Sequence, residues 1–370
     1  MKRRKILLLS PFEQWPLYHG TIVRTHHLAR YLASRHQLWF AFRGSEAAAV
    51  QPFTYHAVVG PVSRWRNLFD PLYLFRLLRL VWREKIDTVV VSQLWSGCFG
   101  IALKLLSRCS LIFDNHNVEY LRLRRMGQPL WPLVALLEWL VCTVADQVLV
   151  VSEVDKRGLA KNLHVSLAKI TVVANGADVP TLQAQTVDRA AARAELGIAA
   201  TTALLLFFGS LSHGPNLEAV TLLLDEIVPR LNRLHRDWKL LIVGRGQEAF
   251  LASRGELPAN VIFAGFADDI VPLIKSSDLV LVPLLAGSGT RYKILESIAC
   301  GRRVVSTTIG AEGLDQDVVG PALKVVDGWD TFAATIAAEL GQPPEIALTP
   351  EFIQSYDWDH IWAKTNLLNQ

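Results

Sequence analysis

Between Gly287 and Glu296 the sequence GSGTRYKILE brings together two glycines around Ser288, a threonine (Thr290), two cations (Arg291 and Lys293) and one carboxylate. Glycines let backbone N–H groups approach a ligand closely, and a helix start carries partial positive charge, so the pattern suits a bound anion. Cations at a helix start oppose the dipole unless an anion compensates them. Glu296, in the next turn, has the reach to accept hydrogen bonds from a sugar diol. A solvated helix start with a surface glutamate would read the same way, and this stretch alone does not separate the two.

Two neighbouring patterns imitate phosphate loops. LLIVGRGQEA fits strand-GxGxxA, a dinucleotide fingerprint, but VIFAGF, the next strand, does not end in the matching acid, and Asp268 and Asp269 fall later in a turn. GSGTRYKI has Tyr292 where a P-loop needs glycine and Ile294 where it needs Ser or Thr for magnesium. The four cysteines, Cys98, Cys109, Cys142 and Cys300, form no CxxC pair, which argues for reduced, mostly buried thiols rather than zinc or disulfides. No metal site is expected.

The elements that must position these residues alternate along the chain. KILLLS, HQLWFAF, DTVVVS, SLIFDN and DQVLVVS read as strands in the first half, and ALLLFFGS, WKLLIVG, NVIFAGF, DLVLVPL and RRVVSTT in the second. Helical patterns such as TIVRTHHLARYLASR and NLEAVTLLLDEIVPRLNRL lie between them. Continuous Val/Leu runs imply strands covered on both faces, hence parallel sheets with crossover helices. Two such series predict an α/β protein of two Rossmann-like domains, with the ligand expected at the carboxyl ends of the strands, in the cleft between the domains. The expected boundaries are 1–180 for the first domain and 181–350 for the second. A C-terminal helix, 351–370, is expected to pack back on the first.

At 370 residues, with 51% hydrophobic and 19% charged residues, the chain is long enough for two well-buried domains. MKRRKILLLSPFEQ opens like a signal peptide, but its apolar run is only Ile6 to Leu9, so a first strand is expected instead. LWPLVALLEWLVCTVADQVLVV is interrupted by Glu138 and Asp146 and is not a clean membrane span. A cytosolic location follows from these readings. The net charge of +4 is unevenly spread: residues 1–150 hold 19 Lys and Arg against 9 Asp and Glu, the rest 19 against 25. A half at +10 joined to one at −6 suits a phosphate-rich ligand or an anionic membrane surface, or else a solvated Arg-rich face.

PLLAGSGTRYKILESIACGRRVVSTTIGAEGL, residues 283–314, resembles the donor-site signature of family 4 glycosyltransferases, retaining enzymes of the GT-B fold. LLLFFGSLSHGPNLEAV, LIVGRG and VIFAGF agree in the second half, and IFDNHNVEY and VVSEVDKRGL in the first, so the likeness runs along nearly the whole chain. It implies that Glu296 is the second glutamate of an E-x7-E motif and binds the donor ribose. The first glutamate is replaced by Ser288. The family's Arg…Lys diphosphate clamp is also missing, since GSLSHGPN offers only His213, and Arg291 and Lys293 become candidates for that role. Of the two, Arg291 is favoured for its bidentate reach.

By the same resemblance Gly20 approaches the donor phosphates and His116 faces the reacting sugar. Gly209, Arg245, Phe266, Gly289 and Thr290 join Ser288 and Glu296 in donor binding. His26 and His27, inside the first helix, read as packing or surface residues. Arg108, Arg122, Arg124 and Arg125 would greet an anionic acceptor or simply be solvated. The implied reaction moves a sugar from a nucleoside diphosphate to a hydroxyl of a glycan or lipid-linked acceptor, without metal, cofactor or nucleic acid. A nucleotide-sugar 2-epimerase of the same fold and a non-catalytic carbohydrate- or lipid-binding relative remain the alternatives. A dehydrogenase would require nicotinamide binding.

Overall fold

A computed structural model describes residues 3–15, 20–43, 54–59, 70–235, 237–287, 289–365 and 367. The chain divides into two compact units, residues 1–175 with 361–370 and residues 176–360. In the first, β1 (Lys5–Leu9), β2 (Gln37–Phe42), β3 (His56–Val59), β4 (Thr88–Ser92), β5 (Ser110–Asn115), β6 (Gln147–Val150) and β7 (Ile170–Val172) form one sheet in the order β3-β2-β1-β4-β5-β6-β7. In the second, β8 (Ala203–Phe208), β9 (Trp238–Val243), β10 (Val261–Phe263), β11 (Leu279–Val282), β12 (Arg303–Ser306) and β13 (Leu323–Val325) pair in the order β10-β9-β8-β11-β12-β13. Every pairing between these strands is parallel. The central strands β4, β6, β8 and β11 are apolar and buried because helices cover both faces.

Both sheets reverse strand order between their first and fourth strands, at β1/β4 and β8/β11. In open parallel sheets the crevice at the carboxyl ends of such strands is where ligands bind. The loops after β8 and β11 contain Gly209 and Gly287, so the residues singled out from the sequence emerge at the switch point of the second unit. Three edge strands, β3, β7 and β13, were not distinguished by the apolar pattern. They are three or four residues long and are covered less completely than the central strands.

The expected terminal segment 351–370 is divided between the units. The helix Pro350–Tyr356 is tied into the second: the carbonyl of Tyr356 accepts from Ala177 N at 2.8 Å, and its hydroxyl accepts from Asp315 N at 2.8 Å. Residues from Ile361 onward belong to the first, where the Trp362 ring stacks on Tyr31, centroids 5.8 Å apart. Within the helical stretch after β8, a wide π turn spans Leu223–Ile227. Pro229 explains it, since it lacks the N–H that Asp225 would receive and crowds that carbonyl. All four cysteines are free thiols, and Cys109, Cys142 and Cys300 are buried. Among the described residues no helix is long and apolar enough to cross a membrane, and no group of His, Cys, Asp and Glu is placed to hold a metal ion.

Candidate functional site

The helix expected from about residue 290 begins at Tyr292 and ends at Ala299, with Arg291 at its N-cap. Ser288 lies outside the described residues. Arg291 and Lys293 diverge. The Arg291 guanidinium turns back on its own loop, donating from Nη1 to the Gly289 carbonyl at 2.7 Å and from Nη2 to the Ile309 carbonyl at 3.4 Å. Gly287 makes room for this fold-back: with φ at 120°, it stands where an added Cβ would lie 2.8 Å from Arg291 Nη2.

Lys293 points the other way, toward the end of β8. Its Nζ donates to Asn216 Oδ1 at 3.0 Å and lies 4.5 Å from the Phe207 ring centroid. Asn216 is fixed in turn by donating from Nδ2 to the Ser210 carbonyl at 2.9 Å. Gly209, with φ at 148°, permits this convergence, because a Cβ there would come within 3.0 Å of Lys293 Nζ and 2.8 Å of Asn216 Nδ2. Of the two cations, Arg291 therefore shapes the loop, and Lys293 stands over the strand end. Arg291, favoured on the sequence for its bidentate reach, thus donates to two carbonyls, one of them in its own loop.

Glu296 follows Lys293 by three residues on the same helix, and both side chains are half-buried. Burial, followed by the charge of Arg291, pulls Lys293 down to about 7, with Glu296 opposing. Burial pushes Glu296 up to about 7, with Lys293 opposing. Burial thus disfavours the charged form of each, and a ligand carrying anionic and hydroxyl groups would stabilise both. Next to it, Thr290 is buried and its Oγ1 has no hydrogen-bond partner among the described residues. Beyond the neighbouring strands β9 and β10, the Arg245 guanidinium stacks on the Phe266 ring at 4.0 Å, an exposed cationic and aromatic surface. His213 occupies the N-cap of the helix Gly214–Leu222.

In the first unit, Gly20 opens the helix Gly20–Arg35. His116 follows the last residue of β5 and is buried, 5% exposed. Its Nε2 lies 2.8 Å from Asp114 Oδ2 and 3.1 Å from Ser92 Oγ, and its Nδ1 lies 3.1 Å from Gln93 Nε2. With the glutamine amide donating to Nδ1, the proton is assigned to Nε2 and given to Asp114. Burial lowers the pKa of His116 and Asp114 raises it, with a net shift downward that favours the neutral ring. Asp114 is shared with Arg24, whose Nη2 donates to Oδ1 at 2.7 Å and whose Nη1 donates to the Val173 carbonyl at 2.9 Å. His26 and His27 are buried in the first helix, and burial, followed by Arg30, pulls His27 down to about 2.

The sequence reading missed Asn216, Arg24, Asp114, Ser92 and Gln93. A charge inside an apolar run, as in SLIFDN, was the available signal for Asp114. Nothing local distinguishes the others.

Comparison with known proteins adds to this geometry. The profile described as Glycosyltransferase Family 4 matches residues 18–180, and that described as Glycosyl transferases group 1 matches residues 202–341. Together the two matches support a glycosyltransferase of the family 4 type. A D-inositol 3-phosphate glycosyltransferase of Mycobacterium sp. (strain KMS) is 29% identical over 274 residues, covering 69% of this chain and 60% of the relative. A phosphatidyl-myo-inositol mannosyltransferase of Mycolicibacterium smegmatis is 29% identical over 145 residues, 37% of this chain and 38% of the relative. The match to the first of these relatives thus spans about three fifths of its length.

Among solved structures, sucrose-phosphate synthase from Thermosynechococcus elongatus superposes with a TM-score of 0.77 at 17% identity, over 99% of this chain and 98% of that one. Anabaena HepE in complex with UDP and glucose gives 0.74 at 18%, over 98% of each chain. At such identities the likeness concerns the fold, and the chain has the GT-B fold of two Rossmann-like units.

On the role the resemblance implies for Glu296, Glu296→Gln is expected to weaken nucleotide-sugar binding by about 1.5–3 kcal/mol, the worth of charge-assisted bonds to a diol. Calorimetric titration with the nucleotide sugar measures it. The same affinity in the variant and the parent would remove Glu296 from the site.

Proposed function

We propose that this chain transfers a hexose from a nucleoside diphosphate sugar to a hydroxyl group of a glycan or lipid-linked acceptor, with retention at the anomeric carbon and without a metal. The observation that carries the reading is Lys293: a half-buried ammonium held by Asn216 over the end of β8, with Glu296 three residues further on. Charge grows on the diphosphate as the glycosidic bond breaks, so a fixed cation in a partly desolvated site stabilises the transition state more than the ground state. Glu296 suits the ribose hydroxyls, and the Arg245–Phe266 surface suits a planar base. Retention, the absence of a metal and the part played by His116 rest on the family resemblance. The basic first half is read as meeting an anionic membrane surface, from which a lipid-linked acceptor would be presented.

A screen of nucleotide sugars for thermal stabilisation, followed by assay of nucleoside diphosphate release, tests the reading. A ligand at a hundred times its dissociation constant adds about 2.7 kcal/mol to stability. Stabilisation by none of them, with no release, would overturn it.

A pH dependence also follows. Lys293, held down to about 7 in the free protein, must be protonated to hold a diphosphate, so binding at pH 8 takes up a proton. Affinity for nucleoside diphosphate should fall as pH rises above 7. Calorimetry in buffers of different ionisation enthalpy reads the uptake directly, and it should vanish in Lys293→Ala. Equal uptake in that variant would assign the proton elsewhere.

A further inference from the structure

Three helices of the first unit turn apolar side chains outward. On Pro71–Glu84 the exposed stripe is Leu72, Phe75, Arg79 and Trp82, spaced at helical intervals, with Arg76 and Arg83 beside it. Leu72 is 73% exposed and Trp82 57%. The opposite face of the same helix, Tyr73, Leu77, Leu78 and Val81, is already committed to the core, so the outer stripe is not needed for folding. The neighbouring helix Gly97–Ser107 adds exposed Leu105 and Leu106. The next, Trp131–Val144, exposes Leu133, Leu136, Trp139 and Leu140, and its single charged residue, Glu138, faces inward.

These helices are packed side by side, 71–84 on 97–107 and 97–107 on 131–144, so their outer stripes form one surface. The helix Glu119–Arg125, packed on 131–144, edges it with exposed Arg124 and Arg125, followed by exposed Met126 and Leu130. A contiguous apolar patch of this kind marks an interaction site, not an ordinary solvated face. Its chemistry selects among partners. Arginines interleaved with Leu, Phe and Trp on an outward helix face suit a bilayer interface, where the long side chains reach phosphates while their stems and the aromatic rings sit among acyl chains. The excess of cations in residues 1–150 adds attraction to anionic headgroups.

We propose, resting on the membrane part of the functional reading, that the helices 71–84, 97–107 and 131–144 form a docking face that inserts shallowly into an anionic lipid bilayer. The helix Glu119–Arg125 at its edge begins three residues after His116, so the face borders the carboxyl end of β5. A lipid-linked acceptor would therefore be met by the same unit that holds the bilayer.

The test is co-sedimentation of the full chain with vesicles of phosphatidylcholine alone or with a third of phosphatidylglycerol. The parent should bind the anionic vesicles, and added salt should weaken the binding. Leu133→Ser/Leu136→Ser/Trp139→Ser should bind roughly a hundredfold less, since three inserted side chains lose their apolar contact. Arg76→Glu/Arg79→Glu/Arg83→Glu, on exposed positions of a different helix, should lose anionic-vesicle binding while keeping the parent's circular dichroism and melting temperature.

A parent chain that stays in the supernatant with both vesicle types overturns the proposal. If that chain is also a dimer that the serine variant dissolves, a second copy is the occupant. Binding that survives both sets of substitutions overturns it too. Nucleotide-sugar binding measured on the same samples separates the two readings. Vesicle binding without it would sink the transferase reading and leave the docking face, and the reverse would sink only the face.

Discussion

Lys293→Ala is expected to lower kcat by about 10²–10³-fold, the effect of removing one preorganised electrostatic partner of a developing negative charge. The environment of the ammonium sets this magnitude. Lys293 is half-buried against Phe207 and held by Asn216, so its field is weakly screened, and in the proposed transfer it needs little reorganisation when charge appears on the leaving diphosphate. Affinity for nucleoside diphosphate should drop far more than affinity for the bare nucleoside, because only the former carries the partner charge. Arg291→Ala is expected to act differently. It frees the Gly289 and Ile309 carbonyls from their guanidinium and loosens the loop, raising KM more than it lowers kcat. Steady-state kinetics of the two variants, with titrations of diphosphate and nucleoside, separate these roles. Full activity in Lys293→Ala would return the diphosphate to His213 or Arg245.

The second large effect lies in the first unit. Arg24→Ala should destabilise that unit by about 3–5 kcal/mol, the usual result of removing one partner from a buried ion pair. Both side chains of the Arg24–Asp114 pair are fully buried. Burial opposes ionisation of Asp114, yet Arg24 first and His116 second hold its carboxyl well below the usual carboxylate range. Without Arg24 a charge is stranded in the core, and the carbonyls of Val173 and Ala174 lose their donor. Asp114→Asn added to Arg24→Ala should recover part of the loss, because a neutral amide leaves no bare charge. Urea denaturation followed by a probe in the first unit measures both. Stability unchanged in Arg24→Ala would show that the pair contributes nothing net.

Much of this arrangement was legible in the sequence, for a definable reason. The central strands are covered on both faces, so their apolar runs are continuous and stand out. Strands β3, β7 and β13 sit at sheet edges, are three or four residues long, and lack that run. Arg291, Lys293 and Glu296 could be grouped because they are neighbours in sequence around one helix start. Asn216 could not, since it meets Lys293 across 77 positions, and Arg24 meets Asp114 across 90. The division of labour between the two cations was equally hidden. It depends on the Arg291 side chain folding back over Gly287, and side-chain direction at a loop–helix junction is a tertiary outcome.

The first unit is not a continuous piece of chain. Its last contribution, beginning at Ile361, arrives after the entire second unit has been traversed, and it places Trp362 on Tyr31 and 5.5 Å from the Arg24 guanidinium. A gene fragment cut after Asn175 would therefore yield a first unit with an open seam beside its buried arginine, whereas residues 176–360 can be excised whole. Ribosomal synthesis meets the same asymmetry: the earlier-made half waits for the segment from Ile361 onward before its core is closed. A cut before Ile361 would take Trp362 away from Tyr31 and Arg24, in a unit whose main stretch ends almost two hundred residues upstream.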